Sequence, residues 1–224
     1  MSAVSDLSSF PPLDTGSPTR FPADRYPIAA AYFDAYSEEM ARAAKSIDPA
    51  ALDRAAEVLV TAYERRGYVF SCGNGGSAAI ANHLQCDHVK AVGTATDLAP
   101  RVLSLAANVE ILTAIANDIA YEDVFAYQLR AQAAPGDVLI AISSSGRSAN
   151  IVNALKWARQ HGVTTIALTG FGGGRAREIA EVAVHVDAAN YGIVEDMHQA
   201  IMHALAQFIR QSRMTTDAIA AHVF

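Results

Sequence analysis

An α/β fold, built as a doubly wound, Rossmann-like parallel sheet of about five strands flanked by helices, is what this sequence predicts. Three observations lead there. Short apolar runs alternate with stretches of helical spacing along most of the chain. The apolar runs are nearly continuous, as in strands buried on both faces. Two of them end in Gly-rich or Ser-rich turns that open a helix, the arrangement in which open α/β sheets bind ligands.

The elements follow in order. Residues 1–27 are rich in Ser, Pro and Asp with little periodicity, which predicts a flexible or extended arm. Helical spacing over 28–45 and again over 49–66, the second begun by Asp48 as a cap, places two helices before the sheet. The run Tyr68-Val69-Phe70-Ser71-Cys72 reads as the first strand, followed by a helix over 77–90. Then come a strand at 101–105, helices near 108–117 and 122–133, a strand at 137–142 and a helix over 148–160. A strand at 163–168, a short helix near 174–180, a strand at 182–186 and a long helix over 192–212 complete the pattern. Residues 28–213 thus form one domain, and 214–224 a tail.

Bulk composition narrows the function. A hydrophobic content of 51% over 224 residues is ample for one core. The net charge of −6 lacks the basic footprint of duplex binders, so no direct nucleic-acid contact is expected. No apolar run reaches the roughly 18 residues of a membrane span, and no basic-then-apolar leader opens the chain, so the expected place is the cytoplasm. Cys72 reads as a small core residue, and no disulfide with Cys86 is expected in a reducing compartment. The last helix carries an apolar stripe (Ile201, Met202, Leu205, Phe208, Ile209). With the alanine-rich first helices it exceeds what one small sheet needs, and the excess is expected to bury against another copy of the chain.

Two turns carry the chemistry. Gly73-Asn74-Gly75-Gly76-Ser77 follows the first strand, and its glycines let the backbone turn tightly with N–H groups exposed at a helix N-terminus. Ser143-Ser144-Ser145-Gly146-Arg147-Ser148 follows a later strand and offers hydroxyl donors to the same kind of ligand. Either alone is most often a loop and a cap. Together, at the carboxyl ends of parallel strands, they point to a phosphate or another oxyanion.

His83 and Asp87 are four residues apart on the helix after the first turn and so share a face. Glu195 and His203 are eight apart on the last helix, about 80° from each other at roughly 100° per residue. Packed together, those helices bring two imidazoles and two carboxylates into reach of one divalent metal. By spacing alone, a solvated His–Asp pair is the commoner outcome. His88, His185 and His198 read as surface or satisfied histidines.

The two turns, Asn117-Asp118 within Leu112 to Asp118, the strand end Ala167-Leu168-Thr169-Gly170 and the Met197-His198 to His203 segment together resemble the sugar isomerase (SIS) domain family. Within it the chain is most similar to the phosphoheptose isomerases, from about residue 28 to residue 212. The resemblance implies the SIS fold, a homotetramer and conversion of sedoheptulose 7-phosphate to D-glycero-D-manno-heptose 7-phosphate through a cis-enediol. It places substrate contacts on Asn74, Gly75 and Gly76, with Ser77 beside them, and on Asn117, Asp118, Ser143, Ser144, Ser145 and Ser148. Zinc ligands of the family fall on His83, Asp87, Glu195 and His203, its base on Asp87 and its acid on His203, with Glu195 also facing the sugar.

Two of those positions depart from the family pattern, Asp87 standing for Glu and Glu195 for Gln. The shorter acid must sit closer to a metal or leave the substrate carbon further away, and the added charge strengthens cation binding. An Arg of the family near the end of the first site helix is absent, with Lys90 close by. Two further readings stand beside the heptose isomerase. One is a non-catalytic SIS binding protein of the type that associates with a replication initiator, whose relative lacks the metal histidines. The other is an isomerase of a different sugar phosphate.

Overall fold

The structure, a computed structural model, describes residues 20–224. Most of the expected flexible arm, residues 1–19, lies outside the described residues. The described part of the arm is packed against the chain itself. Phe21 sets its ring among those of Tyr26, Tyr32 and Tyr36 in tilted and edge-on contacts, and the Asn190 amide donates to its carbonyl at 3.0 Å.

Five parallel strands form the sheet: β1 (Tyr68–Cys72), β2 (Arg101–Ser104), β3 (Val138–Ser143), β4 (Thr164–Thr169) and β5 (Val182–His185). Their spatial order is β2-β1-β3-β4-β5, with Val69 set between Val102 on one side and Val138 on the other. All six residues of β3 are buried, which is why the central strands read as unbroken apolar runs.

The helices divide between the two faces. α1 (Ala29–Lys45), α2 (Pro49–Glu64), α3 (Gly76–Cys86) and α8 (Tyr191–Gln211) cover one, where Leu59, Leu84, Ile201 and Leu205 meet Val69, Ile140 and Ile166. α4 (Val109–Asp118), α5 (Val124–Gln132), α6 (Ala149–Gln160) and α7 (Gly174–Ile179) cover the other, where Phe125, Leu129, Ile151 and Leu155 meet Phe70, Leu139 and Ala141. Alternate residues of each strand serve opposite faces, and each large side chain so buried contributes about 1.5–3 kcal/mol. The cap read from the sequence is present: Asp48 accepts from the Ala50 N–H at 3.0 Å.

Strand order reverses between β1 and β3, so the carboxyl ends of these neighbours open the crevice in which doubly wound sheets bind ligands. α3 leaves from β1 there and α6 from β3. Among the described residues no helix is long and apolar enough to cross a membrane.

The structure refines several sequence expectations. The site helix does not continue as α-helix to residue 90, because Asp87–Val92 is π-helical. Within the C-terminal tail a short helix, α9 (Thr216–Ala221), forms, capped by Thr215, which accepts from the Ala218 N–H. Of the histidines read as surface or satisfied, His88 and His198 are both fully buried. His88 pairs with another buried group, its Nδ1 lying 2.5 Å from the Tyr63 hydroxyl.

Candidate active site

The crevice begins with the turn after β1. Gly75 has φ +55, a left-handed conformation that favours glycine, and its carbonyl accepts from Ala78 and Ala79 to start α3. Gly76 has no room for a side chain, because the Glu195 carboxylate lies directly over its Cα. Asn74 is locked in place: it exchanges two 2.9 Å hydrogen bonds with the buried Asn150 amide, and its Oδ1 also accepts from the Tyr121 hydroxyl at 2.9 Å.

The serine turn closes the other side. Gly146, at φ +65, donates to Ser143, and the Gly170 N–H donates to the Ser144 carbonyl at 2.9 Å. With these bonds the loop presents its hydroxyls to a cavity of about 160 Å³ lined by Asn74, Ser77, Ser143, Ser144, Ser145, Ser148, Tyr191 and Glu195. The Ser144 Oγ is buried without a hydrogen-bond partner, a costly state that an incoming acceptor relieves. Burial, and then the neighbouring Asp196 charge, push the Glu195 carboxyl above the usual carboxylate range.

A second cluster lies further along the same two helices. Asp87 sits between two imidazoles, with Oδ1 3.3 Å from His83 Nε2 and Oδ2 3.3 Å from His203 Nε2. The rings of His83 and His203 approach edge to face at 5.0 Å. One donor atom from each of the three residues falls within 4.8 Å of the others. Two imidazoles and a carboxylate at that spacing are a donor set suited to a divalent first-row cation, so the residues present fit the metal that the resemblance implies.

Most of the candidate residues therefore come together, but in two groups. Glu195 belongs with the serine cavity and lies outside the histidine cluster. Asn117 and Asp118 reach neither group. They sit exposed at the end of α4, hydrogen-bonded to each other at 2.7 Å, with Asp118 on a separate groove between α4 and α5. Tyr121, three residues on, is what reaches Asn74 instead.

Sequence reasoning missed Gln199, whose amide Nε2 lies 3.0 Å from both His83 Nδ1 and His203 Nε2. Its place one helical turn before His203 was the available signal. Nothing in the sequence marked Asn150 or Tyr191.

The SIS domain family matches residues 31–170, which span the five-stranded sheet from β1 to β4 and both turns of the switch-point crevice, and this makes the chain an SIS-domain protein. Over 167 residues the chain is 36% identical to the phosphoheptose isomerase of Rhodospirillum rubrum, covering 72% of this chain and 86% of that one. It is 39% identical over 162 residues to the phosphoheptose isomerase of Akkermansia muciniphila, covering 71% and 84%. The solved structure of phosphoheptose isomerase from Neisseria gonorrhoeae superposes with a TM-score of 0.74 at 32% identity, over 81% of this chain and 96% of that one. The chain belongs to the phosphoheptose isomerase family of SIS-domain proteins.

Proposed function

We propose that this protein is an aldose–ketose isomerase that converts sedoheptulose 7-phosphate to D-glycero-D-manno-heptose 7-phosphate. One observation carries the reading: a hydroxyl-lined cavity and a His–Asp–His cluster lie at two positions along the same pair of helices. From Ser77 to His83 along α3 is about 9 Å at 1.5 Å per residue, a separation that suits the two ends of an extended heptose phosphate. The phosphate accepts from the hydroxyls of Ser143, Ser144, Ser145 and Ser148 and from N–H groups at the start of α6. Asn74, Gly75, Gly76, Ser77 and Glu195 hold the sugar between, and Asn117 with Asp118 contributes only after a local rearrangement or from another subunit.

Asp87 takes the proton from the carbon beside the carbonyl, giving the cis-enediol, and returns it to the neighbouring carbon. His203 supplies a proton to the carbonyl oxygen and accepts one from the adjacent hydroxyl. His83, Asp87 and His203 would hold the cation, zinc by family resemblance, which when bound polarises the carbonyl and hydroxyl oxygens. Asp87, shorter than the acid of the family pattern, is held between the two imidazoles by the contacts already described. A non-catalytic binding role has no use for that cluster.

A cytoplasmic homotetramer is part of the same proposal. It is supported by the exposed apolar residues Ile28 and Phe33 at the start of α1 and Phe208 on α8. Light scattering on the eluting peak tests it, and a clean monomer overturns it. Activity is tested by incubating zinc-loaded protein with sedoheptulose 7-phosphate and, separately, with pentose and hexose phosphates while following aldose formation by NMR. Conversion of the heptose alone or fastest is expected, and no conversion of any sugar ends the proposal.

A further inference from the structure

Zinc commonly takes four donors, and three side chains supply three of them, leaving a fourth position to a further side chain, water or substrate. The amide of Gln199 is the nearest further candidate that the hydrogen bonds show, since it contacts both imidazoles. Its Nε2 is 3.0 Å from His83 Nδ1 and 3.0 Å from His203 Nε2, so it touches both imidazoles of the cluster. His203 Nε2 also lies 3.3 Å from Asp87 Oδ2. A proton on that nitrogen directed at the carboxylate leaves it no lone pair for an amide N–H. The two ends of a carboxamide are nearly isosteric, and a half-turn exchanges them. With Oε1 inward the amide accepts from an imidazole N–H when no cation is present and offers a lone pair to a cation when one is.

Helix geometry separates Gln199 from the competing acid. Gln199 and His203 are four residues apart on α8, about 40° around the axis, and share a face, whereas Glu195 is about 80° from His203. The Glu195 carboxylate is instead committed to the space above Gly76 and to the serine cavity. We infer that in this chain Gln199 supplies the fourth, neutral oxygen donor of the cation site formed with His83, Asp87 and His203, while Glu195 remains with the sugar. The inference rests on the reading that those three residues hold a cation. It has an electrostatic consequence. One carboxylate and one amide leave a dication with residual positive charge to polarise a carbonyl, where a second carboxylate would cancel it.

The test reads metal binding without turnover. Zn²⁺ affinity is measured by competition with a chromophoric chelator, and the Co²⁺ d–d spectrum is recorded, for the wild type, Gln199→Leu, Gln199→Glu, Glu195→Gln and His203→Ala, with far-UV circular dichroism to verify folding. Gln199→Leu is expected to weaken Zn²⁺ binding about 10–100-fold and to change the Co²⁺ band intensity, and His203→Ala to do at least as much. Gln199→Glu, which keeps an oxygen donor, should retain binding, and Glu195→Gln should leave affinity within about twofold, far below the loss of a ligand. Wild-type affinity in Gln199→Leu together with a large loss in Glu195→Gln overturns the assignment of Gln199 while leaving the three-residue site standing. Absence of Zn²⁺ uptake by the wild type overturns that underlying site as well.

Discussion

Asp87 and His203, carried on different helices, meet with the Oδ2 of one 3.3 Å from the Nε2 of the other. This contact joins the end of α3 to the middle of α8 and, in the proposed mechanism, sets the base beside the acid. The π-helical turn that begins at Asp87 changes the helical register after Cys86, a local irregularity of the kind often found at functional sites.

If Asp87 moves the carbon-bound proton, Asp87→Asn keeps the shape and removes the base. Its kcat should fall about 10²–10⁴-fold, the usual contribution of positioned acid–base catalysis. The isomerisation assay by NMR measures it, and a kcat within a factor of about three of wild type would mean that another group does the work.

Ser144 offers a sharper separation of roles. Its hydroxyl is buried and unpaired without ligand, so Ser144→Ala removes a cost from the free protein and a donor from the complex. KM should rise about tenfold, near 1.4 kcal/mol, with kcat little changed, while the thermal midpoint stays level or rises. A lowered midpoint with unchanged KM would show that the hydroxyl serves the loop instead of the phosphate.

A methyl group at Gly76 overlaps the Glu195 carboxylate. Gly76→Ala should therefore expel that side chain from the cavity and raise KM, and adding Glu195→Ala should cost less than the sum of the two single changes. Strict additivity in the double-mutant cycle would mean that the two residues do not share the site.

Burial pushes the His88 and His198 pKa values down to about 4. Unfolded, both take a proton below their ordinary value of about 6.5. Between about pH 6.5 and about pH 4 the unfolded chain binds more protons than the native one. Stability is therefore full above the upper value and falls as the pH drops, by up to about 1.4 kcal/mol per pH unit for each histidine. Urea midpoints compared at about pH 7 and about pH 5 should fall at the lower pH, and His198→Leu should reduce the fall. A midpoint that does not change between those two pH values would contradict the neutral buried state of these rings.

Much of this architecture was legible beforehand because strand burial and helix amphipathicity are periodic, and a period is written into the order of residues. β1, β3 and β4 appeared as apolar runs within a residue of their ends, and Asp48 announced the start of α2. His83 and Asp87 could be paired by counting one helical turn. The reach of Glu195 could not be derived in that way, since it depends on where α8 crosses α3, and that crossing puts its carboxylate over Gly76.

The sequence alone determined the parallel α/β class, the two anion-binding turns and the residue types available for acid–base and metal chemistry. These follow from local backbone preference and hydrophobic period. Only the tertiary structure decided that His83, Asp87 and His203 converge, that Gln199 lies against both imidazoles while Glu195 faces the serine cavity, and that His88 and His198 are interior. Each of those outcomes depends on the angle and register at which distant helices pack, which are set by the fit of many side chains at once and leave no mark in the spacing along one segment.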